Sequence, residues 1–284
     1  MSTPRILDLP PHARLDDWPV RGGSRRVLVH RPASAERWVI LVPGLTGSKE
    51  DFIAMIEPLA AAGCATVAYD QLGQFESAGS PREADYSLRA LAADLCDIEA
   101  WGRSALGFAE PAQMVGHSFG GLVVQVAAAL PAFEASSVTL LCSGPAALPE
   151  HRRGLLPALI DALPTVSLAD LWLAKRAWER SVGEPEPAPG IEAFCRDRWL
   201  RNHPVGLRAM ARILCSTDRV GDALAQRSEG GLPVLVLWGE HDDAWPVDVQ
   251  RAMAADLGAV AVELLGCAHS PNVENPVGLV AHLA

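Results

Sequence analysis

The chain has 284 residues, 49% hydrophobic and 20% charged, which is enough apolar sequence for a large core and too little charge for a disordered chain. Its net charge of −10 argues against nucleic acid and against anionic membrane surfaces as partners. No apolar run approaches a membrane span, the first residues lack a basic-then-apolar signal pattern, and six scattered cysteines show no paired or metal-type spacing. These features read as a soluble cytoplasmic protein in a reducing compartment.

Residues 1–36 hold two edge-strand patterns, one of them over 26–30. Residues 37–42, RWVILV, are continuously apolar, as in a strand covered on both faces. They run into a Gly-rich loop over 43–48 and then a helical pattern over 49–62. A second strand, 64–70, precedes a Gly/Ser-rich loop at 71–81, and a long helix follows over 83–104. Strands at 112–117 and 137–142 continue the alternation of strand and helix, which implies a mostly parallel sheet with helices on both faces. The rhythm breaks at 145–228, which is helical, rich in Trp and Arg, and jointed by the Pro-rich stretch 184–190. This segment reads as an inserted helical cap between a core of 1–144 and 229–284. The sheet pattern resumes at 232–238, with a helix at 247–257, a strand at 260–265 and a closing helix from 272.

The stretch AQMVGHSFGGLVVQ, residues 112–125, carries the sharpest chemical signal. An apolar strand is followed by Gly116-His117-Ser118-Phe119-Gly120 and at once by a helix. A serine at the apex of such a turn is held clear of the sheet, and glycines on either side leave it room. A hydroxyl becomes a good nucleophile only beside a base that an acid orients. Two downstream strand ends could supply these groups: Gly239-Glu240-His241-Asp242-Asp243 and Gly266-Cys267-Ala268-His269. The order Ser118, Asp242, His269 is one of the chain orders in which such triads occur. Asp243 stands next to Asp242 as a rival acid.

GHSFGG, LPVLVLWGEHDDAWP and GCAHSPNVENP resemble the nucleophile, acid and histidine motifs of the α/β-hydrolase superfamily, and of its capped serine esterase-like members in particular. The resemblance covers about 25–284 and is weakest in the cap. It implies the α/β-hydrolase fold with Ser118 as nucleophile, Asp242 as orienting acid and His269 as base. It also implies backbone N–H donors from Leu45 and Phe119 for an oxyanion. The sequence departs from the family where Pro43-Gly44 replaces the common His-Gly. It departs again in the loop after Asp70, where Leu72 and Phe75 replace an Arg and a Gly.

The implied activity is cleavage of a small-to-medium, partly apolar acyl substrate, an ester before a lactone, thioester or C–C bond, without a cofactor. A cofactor-free lyase or oxygenase and a non-catalytic ligand-binding member are the alternatives. Phe75, Trp172, Trp178, Phe194 and Trp199 are candidates to line a substrate pocket. Arg176, Arg196 and Arg198 fit either a substrate carboxylate or solvated helix faces. His117 fits either a packed residue or a substrate contact. The remaining histidines have no ligand spacing, so no metal is expected. The expected partner is a small-molecule substrate, and the sequence is compatible with a homodimer.

Overall fold

In the computed structural model, residues 2–283 are described. Eight strands form one sheet in the order β1-β2-β4-β3-β5-β6-β7-β8. The edge hairpin of β1 (Arg14–Val20) and β2 (Gly23–His30) is antiparallel, and β2 also meets β4 (Cys64–Tyr69) antiparallel. From β4 onward, through β3 (Arg37–Val42), β5 (Gln113–His117), β6 (Ser137–Leu141), β7 (Val234–Gly239) and β8 (Val260–Leu264), neighbours are parallel. Every residue of β4 is buried, as is β3 after Arg37, so the continuous apolar runs mark the centre of the sheet. At the far edge, β8 leaves Val260 exposed.

Helices cover both faces. The 3-10 turn Lys49–Phe52 leads into α1 (Ile53–Ala61). The helix expected over 83–104 is split: a 3-10 turn, Glu83–Tyr86, stops at Ser87, whose extended backbone and hydroxyl cap α2 (Leu88–Leu106) by accepting from Ala90 N at 3.3 Å. Helix α3 (Phe119–Ala127) packs beside α2.

Between β6 and β7 come α4 (Leu156–Ala162), α5 (Leu168–Ser181), α6 (Pro189–Leu200), α7 (Pro204–Ser216) and α8 (Asp222–Glu229). Leu163, Trp172, Cys195, Trp199 and Leu207 give this insertion a small core of its own. Its last two helices also reach the main core, α7 through Ala209, Met210 and Leu214. α8 rests on α3, with Leu224 fully buried in the main core and Arg227 Nε donating to Ala128 O at 2.8 Å.

After α9 (Val247–Asp256) and β8, the single closing helix expected from 272 is two short ones, α10 (Pro271–Glu274) and α11 (Pro276–Val280). Pro276 forces Asn275 out of helical backbone, and the Asn275 side chain caps α11 through Gly278 N. Among the described residues no helix is long and apolar enough to cross a membrane.

Candidate active site

The turn between β5 and α3 puts Ser118 at φ 54°, ψ −120°, a strained backbone for a residue with a Cβ. Ser118 N donates to Leu141 O of β6 at 2.9 Å, which ties the apex to the sheet. The flanking glycines are required by contact. A Cβ on Gly116 would lie 2.6 Å from Gly120 O, and one on Gly120 would lie 2.4 Å from Val42 O. Both obstacles are backbone, so neither can yield cheaply.

His269, in the loop after β8, places Nε2 3.0 Å from Ser118 Oγ and Nδ1 2.7 Å from Asp242 Oδ1. Asp242 leaves the end of β7 with its carboxylate buried. Oδ1 accepts from Ala244 N at 2.9 Å and Oδ2 from Gln250 Nε2 at 2.7 Å. Burial works against the charged carboxylate. The hydrogen bond and charge of His269, with Ala244 N–H and Gln250, outweigh it and hold Asp242 below the ordinary carboxylate range. Asp243 is exposed, and only its backbone carbonyl is engaged, by Arg152. The structure therefore pairs His269 with Asp242.

Two further residues fix the histidine loop. His117 Nε2 lies 2.7 Å from His269 O, and because a carbonyl only accepts, that nitrogen carries the proton. Burial pushes the His117 ring down to about 3, so it is neutral. Glu274 accepts from Ala268 N and Ser270 N, on either side of His269.

Cys142 Sγ, the Asp242 carboxylate and the His269 ring lie within 4.8 Å of one another, a grouping with the elements of a metal site. Burial and the neighbouring Asp242 charge raise the Cys142 thiol well above its usual range, and His269 Nδ1 is turned onto Asp242.

The loop after β3 runs against Ser118, since a Cβ on Gly44 would lie 3.0 Å from Ser118 Cβ. Gln71 Nε2 donates to Pro43 O and Gln74 Nε2 to Gly44 O, each at 2.8 Å, so this loop is tethered by residues of the next one. Leu45 lines the cavity above Ser118. Phe119 begins α3 with its side chain fully buried, and its N–H is one of the first-turn donors that have no acceptor within the helix.

That cavity has a volume of about 550 Å³ and is bounded by Ser118 and His269 on the sheet side and mainly by leucines and alanines of α4, α5 and α7 on the other. Of the aromatic candidates, Trp178 and Trp199 line it. Phe75, Trp172 and Phe194 do not line it, which corrects the expectation for all three. Phe75, at φ 37°, lies between Lys49 Nζ and the Arg201 guanidinium, 4.8 and 4.7 Å from its ring centre, with Phe194 edge-on. Trp172 is buried against Trp199 inside the insertion. The arginine alternatives resolve differently. Arg196 is exposed, Arg176 pairs with Glu179 and Glu192, and Arg198 is fully buried and bound to Asp51.

Gln71, Gln74, Gln250 and Glu274 are site residues that the sequence pattern did not reveal. Gln71 and Gln74 act on partners brought close by the fold, Gln250 acts from the next helix, and Glu274 acts locally on the backbone beside His269.

A model of the alpha/beta hydrolase family matches residues 39–283, nearly the whole chain and every residue of the site described above. The chain belongs to the alpha/beta hydrolase family. Among solved structures, this alpha/beta hydrolase is similar to a carboxylesterase of the ammonia-oxidizing thaumarchaeon Nitrososphaera gargenis. The TM-score is 0.72 at 18% identity, over 95% of this chain and 96% of the other. A thermophilic esterase from Thermogutta terrifontis matches with TM-score 0.70 and 20% identity over 95% and 97% of the two chains. A bromoperoxidase from Bacillus anthracis matches with TM-score 0.73 and 17% identity over 95% and 99%. At these identities the likeness is one of fold. A search of curated proteins finds no match.

Proposed function

We propose that this hydrolase cleaves carboxylic esters with a small-to-medium apolar part through an acyl-enzyme on Ser118. The observation that carries the reading is the unbroken line Ser118 Oγ, His269 Nε2, His269 Nδ1, Asp242 Oδ1, opening into an apolar cavity.

In this mechanism Ser118 Oγ attacks the ester carbonyl as His269 Nε2 takes its proton. The Nδ1–H bond to Asp242 holds the tautomer that leaves Nε2 free, and it stabilises the imidazolium. Negative charge develops on the carbonyl oxygen, where the Leu45 and Phe119 N–H groups receive it. Losing one such donor costs roughly 10²–10³ in rate. His269 then protonates the departing alcohol, and the acyl group remains on Ser118. Water, deprotonated by the same nitrogen, releases the acid and restores the serine. No step needs a cofactor.

Helices α4–α7 serve as the lid in this reading, because their side chains close the cavity over Ser118 while α8 packs on α3. The leucine and alanine lining supports an uncharged aliphatic or aromatic substrate part. All six cysteines are free, which supports a reducing setting.

The test is turnover of p-nitrophenyl esters of graded acyl length by the wild type and by Ser118→Ala, with the product acid formed in ¹⁸O-water. One ¹⁸O per acid and loss of turnover in the variant are expected. Turnover that survives in Ser118→Ala would remove the proposal.

A further inference from the structure

Arg198 lies on α6, in the insertion, and is fully buried. Its Nη1 meets Asp51 Oδ1 at 2.5 Å and Ser48 Oγ at 3.3 Å, and its Nη2 donates to Ser2 O at 2.6 Å. Asp51 is itself buried and faces two ways. Its Oδ2 accepts from Ser48 N at 3.3 Å, and its backbone O accepts from Asn272 Nδ2 at 2.9 Å, three residues beyond His269. Ser2 adds a hydroxyl contact of 2.9 Å with Ser270. One guanidinium thus joins the lid, the 3-10 turn after the oxyanion loop, the histidine loop and the segment at residue 2.

The connection from Arg198 to the reacting serine is continuous. The Asp51 carboxylate packs so closely on Gly47 that a Cβ there would lie 2.7 Å from Oδ2. Gly47 N in turn donates to Gly44 O at 3.1 Å, which closes the tight turn that contains Leu45. Gly44 rests on Ser118.

Stability alone does not account for this pair. Removing two charges from water costs several kcal/mol per ion, and replacing a buried pair by uncharged groups of similar shape is often neutral or stabilising. What Arg198 contributes is a charged contact, Nη1 on the Asp51 carboxylate and Nη2 on Ser2 O, between segments far apart in the sequence. We infer that Arg198 and Asp51 are positioning residues that lock the lid onto the turn carrying Leu45, so that the oxyanion donor is held in register with Ser118 when the lid is closed. The inference rests on the hydrolase reading for its catalytic consequence, and on the contacts alone for the locking.

The experiment uses the full chain with Arg198→Met/Asp51→Asn, which removes both charges while keeping an unbranched stem at 198 and the planar end at 51, beside Arg198→Lys. Amide hydrogen exchange over 44–51, Tm, and the kcat and KM of ester turnover are compared with the wild type. The double variant is expected to keep Tm within a few degrees, to lose protection over 44–51 but not in β5, and to lose about tenfold or more in kcat with KM within about threefold. Misplacement by about 1 Å costs on the order of 10² in such sites. Arg198→Lys, which restores a charge to Asp51, should recover most of the kcat. Unchanged exchange over 44–51 would overturn the inference, and so would a loosened turn with unchanged kcat. Absence of Ser118-dependent turnover in the wild type would instead count against the proposed function, and the exchange measurement would still decide whether the lock exists.

Discussion

His269 Nδ1 and Asp242 Oδ1 stand 2.7 Å apart, and Ala244 N and Gln250 Nε2 occupy two more acceptor positions of that carboxylate. Asp242 is therefore a fixed acceptor. An amide in its place would turn one acceptor into a donor and favour the wrong histidine tautomer. Asp242→Asn should cost about 3–5 kcal/mol in the barrier, or roughly 10²–10⁴ in kcat/KM. Asp243→Asn, at an exposed neighbour, should cost under about 1 kcal/mol. The same ester assayed with both variants checks the assignment, and a crippled Asp243→Asn would move the acid by one residue.

Gln74 reaches from the loop after β4 to hold Gly44 O at 2.8 Å. Gln74→Leu removes that donor without touching Ser118, His269 or Asp242. The expected result is a fall of about tenfold in kcat with KM little changed, because the turn supports a contact made mainly in the transition state. Steady-state kinetics on one ester tests this. A change confined to KM would assign Gln74 to substrate binding.

The two tryptophans of α5 should separate cleanly. Trp178 is 47% exposed and lines the cavity, so Trp178→Ala should alter the acyl-length preference with little effect on Tm. Trp172 is 4% exposed and packs within the insertion, so Trp172→Ala should cost about 3–5 kcal/mol and leave the preference of the remaining folded enzyme alone. Denaturation curves and an acyl-length series on both variants check the pair.

Much of this site is legible in the sequence because its chemistry sits in local patterns. The Gly116-to-Gly120 turn, the strand ends before Asp242 and His269, and the apolar runs of β3 and β4 each follow from neighbours in the chain. Residues that act across the fold leave no such pattern. Gln250 lies on a helix eight positions past Asp242, and Arg198 looks like any arginine of a solvated helix. Phe75, Trp172 and Phe194 fail as pocket residues for a related reason, since an aromatic residue near a site does not announce its direction. Helical geometry accounts for Trp172. Leu171, Ala174, Lys175 and Trp178 share the cavity face of α5 at the three-to-four-residue spacing, and Trp172 falls off that stripe.

His117 gives a pH dependence of known sign. Burial, helped by the neighbouring His269, lowers its ring from 6.5 in an open chain to about 3 in the fold. Between those values the unfolded chain binds a proton that the folded one refuses, so stability is complete above about pH 6.5 and declines as pH falls toward 3. From pH 7 to 4.5 this group alone should remove on the order of 2–3 kcal/mol. Urea unfolding of His117→Gln should show a shallower decline than the wild type over that range. Parallel curves would mean that His117 takes up a proton in the folded state.

In the proposed reaction Ser118 carries the acyl group. Rapid-quench mass spectrometry during turnover of a slow ester tests it most directly, with peptide mapping of the modified residue. The expected result is a transient mass increase equal to the acyl group, located on Ser118, formed and lost at rates consistent with kcat and absent from Ser118→Ala. An acyl group carried on another residue, or the same transient mass in Ser118→Ala, would contradict that role.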